Sequence, residues 1–131
     1  PLVIGLCDAF AAVGLRCFGP SKLAARLEGS KAFTKDFLKR HGIPSAAYAK
    51  FTRDNFDAAW IRAQKAPLVV KADGLAAGKG VVICATVDEA VQTALDMFDG
   101  RFGKAGDLVV VEAHVEDLLE EIGALRRTPI P

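Results

Sequence analysis

The 131-residue chain has almost no charge of either sign to spare: 17 Lys and Arg stand against 16 Asp and Glu, a formal net charge of +1. A dedicated nucleic-acid binder carries a basic surplus, so nucleic acid is not an expected partner. No apolar run approaches the roughly 20 residues that span a bilayer, so no membrane partner is expected either. The opening segment, Pro1 to Asp8, has no basic region, and Asp8 interrupts its apolar run; it does not read as a signal peptide. It also lacks an initiator methionine, and Pro1 reads as the start of a fragment or of a processed chain. Cysteine is scarce and odd in number. Cys7, Cys17 and Cys84 sit in apolar segments and read as free thiols of a cytoplasmic protein. No Cys/His cluster has zinc spacing. There is no repeat and no low-complexity linker.

What is present suits a packed core: 51% of residues are apolar and 25% charged. Residues 2–13 are predicted to form an amphipathic helix, with Leu2, Leu6, Phe10 and Val13 near one face and Gly14 as its end. Leu15–Phe18 reads as a short strand. Ser21 and Ser30 are candidate N-caps for helices over 22–27 and 31–40, the second stopped by Gly42 and Pro44. Residues 46–51 read as a strand, and 52–64 as a helix with Phe56, Ala59, Trp60 and Ala63 at i, i+3, i+4 and i+7. Strands are expected over 68–72, 81–85 and 108–115. Thr86 and Glu89 form a capping box before a helix whose apolar face carries Ala90, Val91, Ala94, Leu95 and Phe98. Residues 116–127 read as an amphipathic helix. Alternating helices and strands predict an α/β or α+β fold, with two helices on one side of a short sheet.

The segment that carries chemistry is Lys71-Ala72-Asp73-Gly74-Leu75-Ala76-Ala77-Gly78-Lys79-Gly80, set between two β-branched strands. Glycines let backbone N–H groups turn toward an anion, because no Cβ blocks the approach. Ala76 and Ala77 keep the loop thin, and Lys71 and Lys79 add positive charge. A polyphosphate needs such a set of donors. The spacing is not that of a Walker A loop, since three residues separate Gly74 from Gly78 and Gly80 follows Lys79 where a hydroxyl would be required. Nor is it a dinucleotide fingerprint, which leads into a helix. Strand, loop, strand describes a flap that can close over phosphates. The alternative is a hairpin whose glycines serve turn geometry and whose lysines are solvated.

Together with Gly19-Pro20-Ser21-Lys22 and Leu27-Glu28-Gly29-Ser30-Lys31-Ala32-Phe33, this loop resembles the phosphoribosylamine–glycine ligase family, ATP-grasp enzymes of purine biosynthesis. The resemblance runs from Pro1 to about Glu112. It implies an ATP-grasp small subdomain with a flap over 45–115, helices of the large subdomain over 21–44, the end of a preceding dinucleotide-fold-like domain over 1–20, and an atypical tail over 116–131. It implies ATP as cofactor, with Mg2+ or Mn2+ in the full-length enzyme, and glycine and phosphoribosylamine as small-molecule substrates. Lys31 would approach ATP, Lys71 would contact its α- and β-phosphates, and Gly74, Leu75, Ala76, Ala77, Gly78, Lys79 and Gly80 would cover them. Glu112, Ala113 and Val115 would stand at the adenine hinge, where backbone groups near Ala113 and Val115 read the base.

Read without the resemblance, Lys31 is equally a solvated first-turn lysine, Glu112 an exposed strand end, and Asp73 a turn stabiliser. His41 suits a helix C-terminus, His114 bears no mark of a catalytic base, and Phe56 and Trp60 read as core. The wording departs from the family after Glu112. Among Glu116, Glu120 and Glu121 no single ribose-binding carboxylate is singled out, and the family's metal ligands find no match, so no metal residue and no catalytic residue is assigned. The chain alone is expected to give no ligase turnover. The alternatives are a non-catalytic ATP or ADP binder and a structural remnant whose 1–18 segment drives self-association.

Overall fold

The computed structural model describes residues 1–74 and 80–114. Its centre is a four-stranded antiparallel sheet of β1 (Tyr48–Thr52), β2 (Leu68–Ala72), β3 (Val81–Cys84) and β4 (Leu108–Ala113) in the order β1-β4-β2-β3. The antiparallel pairing settles the fold class on the α+β side. β4 is central, pairing Tyr48 with Glu112 on one side and Val69 with Glu112 on the other.

Facing residues of antiparallel neighbours share a face, so the register sorts the side chains. Phe51, Leu68, Val70, Ala72, Cys84, Val109 and Val111 form one face, buried against Ile61 of α4 (Ala58–Arg62) and against Ala90, Val91 and Ala94 of α5 (Val87–Asp96). Phe56 and Trp60 pack on this core edge-on to Phe51, each with a centroid separation of 5.7 Å, as their pattern predicted. The opposite face carries Tyr48, Lys50, Val69, Lys71, Val110 and Glu112. It lies under α3 (Lys31–Arg40), which follows α2 (Lys22–Gly29).

The predicted caps form. Ser21 accepts from the Ala24 N–H, Ser30 from Phe33 and Thr86 from Glu89; the Glu89 carboxylate accepts from the Ala85 N–H at 2.8 Å and not from Thr86, so the expected capping box is only half made. Several expectations need correction. Residues 15–18 form no strand, because a strand exists only where a neighbour pairs with it and no described strand lies beside them. The first helix, α1, covers Leu6–Ala12, since Gly5 takes the left-handed conformation at φ 98° and residues 2–5 form a turn. Its buried residue is Cys7, while Ile4, Phe10 and Val13 face solvent. Residues 52–64 are not one helix: Asn55 accepts from the Thr52 N–H in a short 3-10 turn, and Asp57 caps α4 through the Trp60 N–H. In α5, Leu95 is exposed, and Thr93, with Met97 just past the helix end, takes the inner positions. β3 and β4 are also shorter than expected, ending at Cys84 and Ala113.

Candidate nucleotide-phosphate site

The site starts from strand alternation. Val70 and Ala72 point into the core, so Lys71 between them points to the face under α3. Glu112 is brought there by the same rule from β4. Lys31 and Lys35, four residues apart on α3, lie on one side of that helix and turn toward the strands. Lys35 and Lys71 both form ion pairs with Glu112, one on each carboxylate oxygen. The Glu112 side chain is only 6% exposed, so the expectation of an exposed strand end does not hold. Lys35 also donates to Ser45 Oγ at 2.7 Å and to the Ala46 carbonyl at 3.3 Å.

The root of the glycine loop is fixed on the same side. The Ala72 N–H donates to the Gly80 carbonyl at 2.7 Å, closing the base of the loop, and the Asp73 N–H donates to the Leu108 carbonyl at 2.8 Å. Gly74 has φ 82°, a left-handed turn that a side chain would strain. The Asp73 carboxylate accepts from Ser30 Oγ at 3.0 Å and from the Ala32 N–H at 3.0 Å. Ser30 and Asp73 thus divide the first turn of α3, one taking the Phe33 N–H and the other the Ala32 N–H. Lys31 donates to the Gly74 carbonyl at 2.7 Å. Burial pushes the Lys31 ammonium below the usual lysine range, Asp73 opposes that shift, and Lys71 adds to it.

Lys31, Lys35, Lys71 and Glu112 line a cleft of about 220 Å3, closed on its other sides by Leu27, Glu28, Thr34 and Val110 among others. That is less than the roughly 300–1,000 Å3 of a complete small-molecule site, so it is one part of a site. A larger hollow of about 400 Å3 opens beyond Lys35, lined by Lys39, Tyr48 and the 42–47 loop, but it touches neither β2 nor the glycine loop. The chemistry therefore points to the smaller cleft: three ammonium groups against the Glu112 and Glu28 carboxylates leave a positive surplus that suits an anion. Among the described residues no three His, Cys, Asp or Glu side chains gather where they could hold a metal ion.

Of the residues singled out in the sequence, Lys31, Lys71 and Glu112 come together in this cleft, and Gly74 and Gly80 stand at the loop root. Ala113 lies at the far end of β4, opposite Leu68, and its N–H is taken by the Ala47 carbonyl at 3.0 Å. Leu75, Ala76, Ala77, Gly78, Lys79, Val115, Glu116, Glu120 and Glu121, with the helix expected over 116–127, lie outside the described residues. Two residues escaped the sequence reading. Lys35 carried one signal, its i+4 spacing from Lys31; Asp73 as a cap for a helix 41 residues upstream carried none.

A family model described as phosphoribosylglycinamide synthetase, ATP-grasp (A) domain, matches residues 29–125. The chain is 59% identical over 117 residues to the phosphoribosylamine–glycine ligase of Vibrio cholerae, a match covering 88% of this chain and 27% of the relative. It therefore spans about a quarter of the length of the curated relatives it matches. Among solved structures it is similar to the phosphoribosylamine–glycine ligase of Thermotoga maritima, with a TM-score of 0.66 and 37% identity over 74% of this chain and 25% of that one. It also resembles D-alanine–D-alanine ligase of Helicobacter pylori, with a TM-score of 0.65 over 85% of this chain and 32% of that one; at 21% identity this speaks for the fold alone.

Proposed function

The chain belongs to the phosphoribosylglycinamide synthetase ATP-grasp (A) domain family, and from that premise we propose that it forms the phosphate-holding side of a ligase joining glycine to 5-phosphoribosylamine. In that reaction a glycine carboxylate oxygen attacks the γ-phosphorus of ATP and ADP leaves. The phosphoribosylamine nitrogen then attacks the acyl carbon, loses a proton, and phosphate departs from glycinamide ribonucleotide. Phosphoryl transfer asks little covalent chemistry of a protein; it asks for position and for positive charge around the oxygens.

The observation that carries this reading is the gathering of Lys31, Lys35 and Lys71 in one cleft, the last two on the buried Glu112 carboxylate and the first on the closed root of a glycine loop. Lys31 and Lys71 would meet the phosphates, and Gly74 to Gly80 would cover them. Glu112, Ala113 and Val115 would stand toward the base. β2 and β4 supply the length: from the loop root at Ala72 to the hinge end at Leu68 the strand runs about 13 Å. The Mg2+ or Mn2+ that the resemblance implies has no ligand set among the described residues, and none is assigned to them. We place residues 1–20, 21–44, 45–115 and 116–131 in the domains that the resemblance implies, and the protein in the cytoplasm. No described helix is long and apolar enough to cross a membrane.

Calorimetric titration of the chain with ATP tests the proposal. Lys71→Ala and Lys79→Ala should each weaken binding about tenfold or more, because each removes a cation from a phosphate contact. Equal affinity in both variants and the parent would remove the loop from the site. The chain alone should release no ADP in the presence of glycine and phosphoribosylamine, and any such release above background would refute that part.

A further inference from the structure

We infer that Lys35 is a positioning residue of this site: it holds the Glu112 carboxylate so that Lys71 can leave it for a phosphate. The inference rests on the proposed nucleotide reading and assigns a different task to each lysine. An ammonium has three N–H donors. Lys35 donates to the Ser45 hydroxyl and the Ala46 carbonyl of the loop before β1 and stands as an ion partner of Glu112 of β4, so two elements hold it in place. Its side chain is 12% exposed. Lys71 is 25% exposed, and Glu112 is the ion partner it has among the described residues. Lys71 is therefore the partner free to move.

Glu112 makes that movement possible or costly. A buried carboxylate stripped of its cation is strongly destabilising. With Lys35 in place, Glu112 keeps one cation when Lys71 turns to an anion. Without Lys35, Lys71 is the remaining counter-ion, and each phosphate contact leaves Glu112 unpaired. The other charged or titratable groups on this face are Tyr48 and Lys50 of β1, Lys31 and Asp36 of α3 and Glu28 of α2, with Lys50 held by Asp36 at 2.6 Å. Of these only Lys31 could replace the lost charge, and it is engaged on the Gly74 carbonyl.

The test compares ATP with adenosine, which lacks phosphate, on the parent chain and on Lys35→Met. The variant should bind ATP roughly ten- to a hundredfold more weakly, with adenosine affinity unchanged. Lys35→Arg should recover ATP binding by restoring the charge. Equal ATP affinity in Lys35→Met, or a parallel loss for adenosine, overturns the inference. Failure of the parent to bind ATP sinks the nucleotide reading instead. Urea unfolding without ligand then decides the role of Lys35. In double-mutant cycles its coupling to Glu112 should exceed that of Lys71, and the reverse order overturns the inference.

Discussion

Asp73 ties the root of the glycine loop to the start of α3, and removing its side chain measures that tie. Asp73→Ala deletes the acceptor of the Ala32 N–H and of the Ser30 hydroxyl. Hydrogen bonds to a charged group are worth about 1.5–3 kcal/mol net. A negative charge in a first helical turn adds about 0.3–1 kcal/mol. Asp73 is half-buried, so solvent holds the sum to the lower part of that range, about 2 kcal/mol. That is about a thirtyfold fall in the ratio of folded to unfolded chain. Asp73→Asn keeps an acceptor oxygen and loses the charge, and should cost about 0.5–1 kcal/mol. Ser30→Ala removes the cap of Phe33 and the donor to Asp73, about 1 kcal/mol. Because Ser30 and Asp73 touch, the double variant should be less destabilised than the two single effects added together, by about 0.5 kcal/mol or more. Urea unfolding at neutral pH, followed by far-ultraviolet circular dichroism, gives all four values. A loss below about 0.5 kcal/mol for Asp73→Ala, or strict additivity with Ser30→Ala, would refute the shared cap.

Three further outcomes follow from the same geometry. The single tyrosine, Tyr48, is pushed up to about 12, first by burial and then by its 2.6 Å hydrogen bond to Asp36. Since an unfolded tyrosine ionises near ~10, its contribution to stability is whole below that pH and disappears as pH rises toward about 12. Phenolate absorbance reads it directly: Asp36→Asn should move the folded-state midpoint back toward the ordinary value, and a parent midpoint near ~10 would disprove the shift. A Cβ on Gly106 would lie 2.1 Å from the Met97 carbonyl oxygen, so Gly106→Ala should destabilise by about 3 kcal/mol; an unchanged melting temperature would show that the close approach is absent. The Cys7 and Cys17 sulfurs lie 3.2 Å apart, while Cys84 is fully buried. Diamide, itself reduced by two hydrogens, should join Cys7 to Cys17 and leave Cys84 alkylatable only after unfolding; peptide mapping that finds Cys84 in the bridge contradicts this.

How much of this could be read beforehand depended on how local its cause is. The five residues of β2 are set by their own branched side chains between punctuating residues, and their bounds were legible in full. The caps at Ser21, Ser30 and Thr86 were equally visible, being contacts over three residues. The 52–64 helix failed because two polar side chains, Asn55 and Asp57, compete locally for backbone N–H groups and reset the start, while Phe56 still packs where its periodicity pointed. Lys71 is legible as one of the two lysines that frame the glycine loop. Lys35 is not, because a lysine on an amphipathic helix looks solvated until the strand beneath it is known. Asp73 as a remote cap was illegible, since its partners are brought together only by tertiary structure.

The central position of β4 gives Glu112 a second consequence. Sliding β4 by one residue against its neighbours would exchange its two sides. Glu112 would then enter the layer beneath α5, among Phe51 and Val70, and Val111 would be offered to two ammonium ions. One acidic side chain thus vetoes the neighbouring alignment of the strand that holds the sheet together. Its loss would leave an otherwise all-valine stretch, Val109 to Val111, with much less to tell one alignment from the next.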